Sequence, residues 1–115
     1  MNEKKIKQSI ICPKVRCYIC GSTVGLELHH CLMGSYRELA DQDRLYVALC
    51  QYHHKRLHDH GDHKKELQYI AQEAWINKRT KELSKTFSAG AETLARAEFR
   101  ERYGRFFYDR NLFQC

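Results

Sequence analysis

Cys17-Tyr18-Ile19-Cys20-Gly21 sets two thiols three positions apart, and the glycine allows the tight turn that aims both sulfurs at one point. Thirty residues on, Cys50-Gln51-Tyr52-His53 repeats the spacing with a histidine in the second place. Two such pairs supply four ligands, the number a tetrahedral structural Zn2+ takes. A lone Cys-x-x-Cys reads as well as a redox motif; the matching second pair is what favours zinc. A C2H2 finger does not fit. About 33 residues separate Cys20 from the His54-x-x-x-His58 pair, where a finger has about 12 to 15.

Further histidines stand outside that set. His54 and His58 are four apart, so on a helix they lie on one face and can share a second metal. His53 is turned about 100° from His54, so the two neighbours can serve different ions. His29 and His30 stand together upstream. Each has a plainer reading, because surface histidine pairs are common and His58 can simply line a helix. Together they do not look accidental. Cys12, Cys31 and Cys115 have no role on this reading. Cys31 is expected to be a small buried residue, and Cys12, five before Cys17, at most a substitute ligand.

These side chains need elements to hold them. Leu26-Glu27-Leu28-His29 alternates apolar and polar, and Leu45 to Leu49 does so more loosely, which predicts two short strands. Residues 51 to 59 contain no breaker and read as a short helix ending near Gly61. The stretch between His30 and Leu45 reads as a loop. From Lys64 the pattern turns helical, with Leu67, Ile70, Ala71, Ala74 and Trp75 on one face. That helix is expected to reach about Phe87, before Ser88-Ala89-Gly90. A second helix, from about Ala91 to Tyr103, carries Ala91, Leu94, Ala95 and Phe99, and Gly104 stops it. Its arginines Arg96, Arg100 and Arg102, with Arg105 beyond, interleave with Glu92, Glu98 and Glu101 as a mixed solvent face. The tail Arg105-Phe106-Phe107-Tyr108 is expected to fold back onto the core. The first 11 residues form a basic lead-in, and Cys12-Pro13 opens the ordered part.

The chain has 115 residues, which bounds it to a single domain over 1–115, with a zinc-stapled part at 12–61 and a helical extension at 62–115. At this size a core often needs a staple. Hydrophobic residues make up 43% and charged ones 30%, with 1 Pro and 6 Gly, so a disordered low-complexity chain is excluded. No apolar run approaches the roughly 18 residues of a membrane span. The start, Met1-Asn2-Glu3-Lys4-Lys5, lacks the apolar stretch of a secretion signal, so a reducing cytoplasm is expected. There, 6 Cys beside 7 His favour metal ligation over disulfides. The net charge of +6 leans toward polyanionic partners such as nucleic acid.

Cys17-x-x-Cys20, Leu26-Glu27-Leu28-His29-His30 and Leu49-Cys50-x-x-His53-His54-x-x-x-His58 together resemble the HNH nucleases of the ββα-metal, or His-Me finger, class. The small HNH endonucleases of phages and prophages look most similar. His30-Cys31-Leu32-Met33-Gly34-Ser35-Tyr36-Arg37-Glu38-Leu39, Tyr69-Ile70-Ala71-Gln72-Glu73-Ala74-Trp75 and Phe99-Arg100-Glu101-Arg102-Tyr103-Gly104 also look like that group. The specific motifs cover residues 17 to 58, and the weaker likeness runs to about 108. The resemblance implies an α+β fold, a small ββα-metal core with a zinc knuckle and a mainly helical C-terminal extension. It implies a metal-dependent DNA endonuclease or nickase, phage or prophage encoded, working in the cytoplasm of a bacterial host. Position by position, His29, His54 and His58 take the places of ligands to a catalytic Mg2+, Mn2+, Ni2+ or Zn2+. His30 takes the place of the general base. Cys17, Cys20, Cys50 and His53 sit where zinc-stapled members hold their structural ion. Arg37, Arg44, Lys55 and Arg56 lie near this cleft and are candidates for phosphate contacts.

The chemistry is coherent. Phosphodiester hydrolysis needs a deprotonated water in line with the 3′ oxygen, and imidazole, with an ordinary pKa of about 6.5, takes that proton at neutral pH. A divalent ion neutralises the charge that develops. The products would be a 5′-phosphate and a 3′-hydroxyl. Adjacent strand residues face opposite ways, so the strand is expected to end at His29-His30 and let both reach one cleft. The family's central Asn, which orients the base, has no counterpart: the only asparagines are Asn2, Asn77 and Asn111. Tyr36, Arg37, Asp43, Arg44 or a backbone carbonyl could stand in for it. The missing Asn favours an alternative, a zinc-containing nucleic-acid-binding module of the same fold without catalysis. The four histidines at 29, 30, 54 and 58 favour the enzyme, since binding alone needs none of them.

Overall fold

Alternation of apolar and polar residues makes Leu26–His30 a strand, β1, in the computed structural model, which describes residues 8–107. It pairs antiparallel with β2 (Tyr46–Cys50), in a register running from Leu26↔Cys50 to His30↔Tyr46. Directly opposed residues share a face of the ribbon. Glu27, His29, Val47 and Leu49 therefore lie on one side, and Leu28, His30, Tyr46 and Ala48 on the other. Cys50, extended at φ −69° and ψ 160°, ends β2 and is also the N-cap of α2. That helix, Gln51–His60, follows with no loop and stops at Gly61. Gly61 sits at φ 74°, and its N–H donates to the Leu57 carbonyl at 2.8 Å, a left-handed cap that suits glycine.

The segment between the strands is not the expected loop. A 3-10 turn, Gly34–Tyr36, leads into α1 (Arg37–Gln42). Six residues make fewer than two turns, too few for an apolar period to register, and only Ala40 of them is buried. Arg44, at φ 60°, turns the chain back, and the Leu45 N–H donates to the Ala40 carbonyl at 2.9 Å as β2 begins. Leu32, Leu45, Val47, Leu49 and Leu57 are all 2% exposed or less and form the apolar centre. The ordered chain reaches back past Cys12-Pro13. Ser9 Oγ accepts from the N–H groups of Ile11 and Cys12, and the Ile10 N–H donates to the Arg44 carbonyl.

The chain divides into two compact units, Met1–Lys64 and Lys65–Cys115. The second is built from α3 (Lys64–Leu83) and α4 (Ala91–Tyr103). The buried stripe of α3 is Leu67, Ala71, Gln72, Ile76 and Leu83, rotated from the predicted face so that Ile70, Ala74 and Trp75 are only half-buried. A buried glutamine is tolerated because it is satisfied. Its Oε1 accepts the Phe107 N–H at 2.5 Å, and its Nε2 donates to Glu73 at 3.1 Å. In α4, Ala91, Ala95, Phe99 and Tyr103 are buried, while Leu94 stands 38% exposed at the edge. Arg96 is not purely solvent-facing as expected: it forks onto Glu73 at 2.9 and 3.1 Å. Phe106 and Phe107 fold back against Phe99, as the tail was expected to, whereas Tyr108 and Cys115 lie outside the described residues. The described residues form a small α+β protein with a two-stranded antiparallel sheet and four α-helices. No helix among the described residues is long and apolar enough to cross a membrane.

Phe99 is fully buried and meets the rings of Trp75, Tyr103, Phe106 and Phe107. Phe99→Ala should cost about 3–5 kcal/mol in urea unfolding, and Leu94→Ala, at the exposed edge, under about 1 kcal/mol.

Candidate metal centres

The knuckle forms where the sequence put it. Gly21, at φ 80°, returns its N–H to the Cys17 carbonyl at 2.8 Å, and the Cys17 N–H donates to Ser22. The Tyr18 N–H then donates to the Ala48 carbonyl at 2.9 Å, docking the knuckle on β2. Cys50 and His53, cap and first turn of α2, complete the set. The four ligand atoms of Cys17, Cys20, Cys50 and His53 all lie within 4.8 Å of one another. Zinc bonds of about 2.3 Å to sulfur and 2.0–2.1 Å to nitrogen give tetrahedral edges of about 3.8 Å between sulfurs and about 3.6 Å from sulfur to nitrogen. The observed separations are 3.9 Å for Cys20–Cys50, 3.8 Å for Cys17–His53 and 3.2 Å for Cys50–His53. A disulfide would need about 2.05 Å, and the five described cysteines are all free. This Cys3His cluster can hold a metal ion, and its chemistry suits zinc.

Electrostatics agree. Burial raises the Cys17 thiol, but hydrogen bonds from the Cys50, Cys20 and Ile19 backbone outweigh it and bring its pKa down to about 6. The Ser22 backbone lowers Cys20, yet burial and the neighbouring Cys17 and Cys50 thiols move it upward on balance. Cys12 lies outside the cluster, which is complete without it. Cys31 is 1% exposed, and burial pushes its thiol up to about 12, so it behaves as the small buried residue expected.

A second group gathers between β1 and α2. His29, His54 and His58 offer ligand nitrogens within 4.8 Å of one another. His54 and His58, one turn apart, bring their Nε2 atoms to 3.1 Å. Two nitrogens bound at about 2.1 Å to one ion lie about 3.0–3.4 Å apart, so the spacing fits a shared metal. His29 is 2% exposed, and its burial, reinforced by His54, His58, His30 and Lys64, holds its pKa down at about 4. It is neutral at pH 7, the form a metal takes. Behind His54, Glu27 Oε1 accepts from Nδ1 at 2.8 Å, which leaves the Nε2 lone pair for an ion.

His30 is not part of that group. Both histidines stay in the ladder, which ends at His30, so the pleat sends them to opposite faces rather than into one cleft together. His30 packs edge-on to Tyr46, with Nδ1 2.5 Å from Asp41 Oδ1 and Nε2 3.3 Å from Arg37 Nη2. Of the four proposed phosphate contacts, Arg37 alone reaches these histidines. Arg44 forms the turn before β2, and Lys55 and Arg56 pair with Asp59 and Asp62 at 2.9 and 2.8 Å. Sequence reasoning missed Glu27 and Asp41. Glu27 was legible, two residues before His29 and so on the same strand face. Asp41 was not, because α1 was unseen. The chain matches no family model, no curated protein and no solved structure.

Purified protein should carry about one zinc held by the Cys3His set, and chelation or Cys50→Ser should unfold Met1–Lys64. Hydrogen exchange resolves the two units. Metal-free native protein whose exchange ignores chelator would contradict this.

Proposed function

We propose that the chain is a metal-dependent DNA endonuclease of the HNH type, a phosphodiester hydrolase with a ββα-metal core stapled by Zn2+ at Cys17, Cys20, Cys50 and His53. The observation that carries this reading is the division of labour among four histidines. His29, His54 and His58 converge within 4.8 Å, while His30, next in the chain, keeps its ring outside the group. A structural metal site needs no spare imidazole held in place beside it. The order β1, β2, α2 and the net charge of +6 support the same reading.

In this mechanism His29, His54 and His58 would hold a divalent ion, which would supply charge neutralisation at the scissile phosphate and the leaving 3′ oxygen. His30 takes the proton of the attacking water on Nε2. Arg37, whose guanidinium already lies 3.3 Å from that nitrogen, grips a phosphate oxygen. The reading requires the scissile phosphate to lie at the end of β1, within reach of both His30 and the three clustered histidines. Lys55 and Arg56 extend the contact along α2, since exposed ion pairs with Asp59 and Asp62 exchange at little cost.

The test is cleavage of supercoiled plasmid with Mg2+, Mn2+ or Ni2+. His30→Ala should slow it roughly 100- to 10,000-fold, with metal and DNA binding retained. His54→Ala and His58→Ala should lose activity together with metal affinity at the triad, the Cys3His zinc remaining. Loss of metal in His30→Ala, or its cleavage at the wild-type rate, would overturn the assignment.

A further inference from the structure

The role left vacant by the missing asparagine has an occupant in the structure. We infer that Asp41 is the positioning residue for His30, fixing it as the Nδ1–H tautomer so that Nε2 is the reactive nitrogen. The inference rests on the nuclease reading for its catalytic meaning, but its geometry stands separately. Asp41 is on α1, and its Oδ1 lies 2.5 Å from His30 Nδ1. Arg37, four residues earlier on the same helix, brings Nη2 to 3.3 Å from His30 Nε2.

These two partners have opposite chemistry. An ionised carboxylate only accepts hydrogen bonds, and a guanidinium only donates them. Nδ1 must therefore carry the hydrogen and Nε2 the lone pair; the other neutral tautomer would leave both contacts frustrated. The Tyr46 ring, opposite His30 in the ladder, lies edge-on to the imidazole at 6.2 Å between centroids. Arg37 is exposed, with 61% of its side chain open, so it can leave Nε2 for a phosphate while Asp41 stays. The exchange uncovers the lone pair where the water must stand. A helix of six residues thus carries both the group that aims the base and the one that shields it.

The experiment is 15N NMR of histidine-labelled, zinc-loaded protein at a pH where imidazole is neutral, with His30 assigned from the His30→Gln spectrum. Wild-type His30 should show its hydrogen on Nδ1. Asp41→Ala should move that hydrogen toward Nε2 and lower kcat roughly 10- to 100-fold, with KM for plasmid nearly unchanged. Glu38→Ala, on the same helix, should leave tautomer and kcat alone, which separates loss of the carboxylate from damage to α1. Wild-type His30 protonated on Nε2, or an Asp41→Ala protein with unaltered tautomer and kcat, would overturn the inference. The tautomer is read without substrate. A chain that cleaves no DNA yet shows the Asp41-dependent shift would sink the nuclease reading and leave the Asp41 contact standing.

Discussion

The pleat of β1 is the constraint on which the rest of the site depends. With His29 opposite Val47 and His30 opposite Tyr46, the ladder assigns consecutive histidines to opposite faces. One face meets α2 and its histidines; the other meets α1. A slip of one residue would exchange the two sets, so the register decides which histidine meets which helix. What holds the register is burial. Val47 and Leu49 are 1% exposed on the same face as His29, and a slip would carry both off that packed face.

A two-stranded ribbon is at best marginally stable alone. Here it is tied at one end by Cys50, which ends β2, caps α2 and reaches the knuckle sulfurs. One ion in the Cys3His cluster would join the knuckle, the strand and the helix at a point where the chain has few apolar residues to spare. The same junction puts His53 and His54 in the first turn of α2, about 100° apart, so adjacent side chains reach separate clusters. Burial of His29 follows from this economy. It keeps the imidazole neutral at pH 7, the form able to ligate a metal.

Much of this was legible in the sequence. Period-2 alternation exposed β1, the glycines at 61 and 104 marked two helix ends, and paired x-x spacing located the Cys3His cluster. The i, i+4 pair His54 and His58 gave two of the three clustered histidines. The rest was hidden for identifiable reasons. Helix α1 is too short to show a period, so Asp41 looked like loop polarity. The buried face of α3 was displaced because Gln72 counts as polar in any pattern, yet its burial is compensated by the Phe107 N–H and Glu73. That compensation depends on a residue 35 positions away. No local reading of α3 contains it.

On the proposed nuclease reading, placing the metal ligands and the base on opposite faces answers a conflict built into the chemistry. A general base must keep an unshared lone pair while standing near a cation that competes for it. If His29 and His30 entered one cavity, His30 would offer an ion a fourth nitrogen beside His29, His54 and His58, and the base would become a ligand. The pleat prevents this. Asp41 and Arg37 add a second safeguard, because both ring nitrogens of His30 are already engaged by groups of the right sign. Metal capture by His30 would have to break a contact and turn the ring across the sheet. If the proposal holds, the distinction between ligand and base is written in backbone geometry first and in hydrogen bonds second, with chemically identical side chains separated by a single peptide unit.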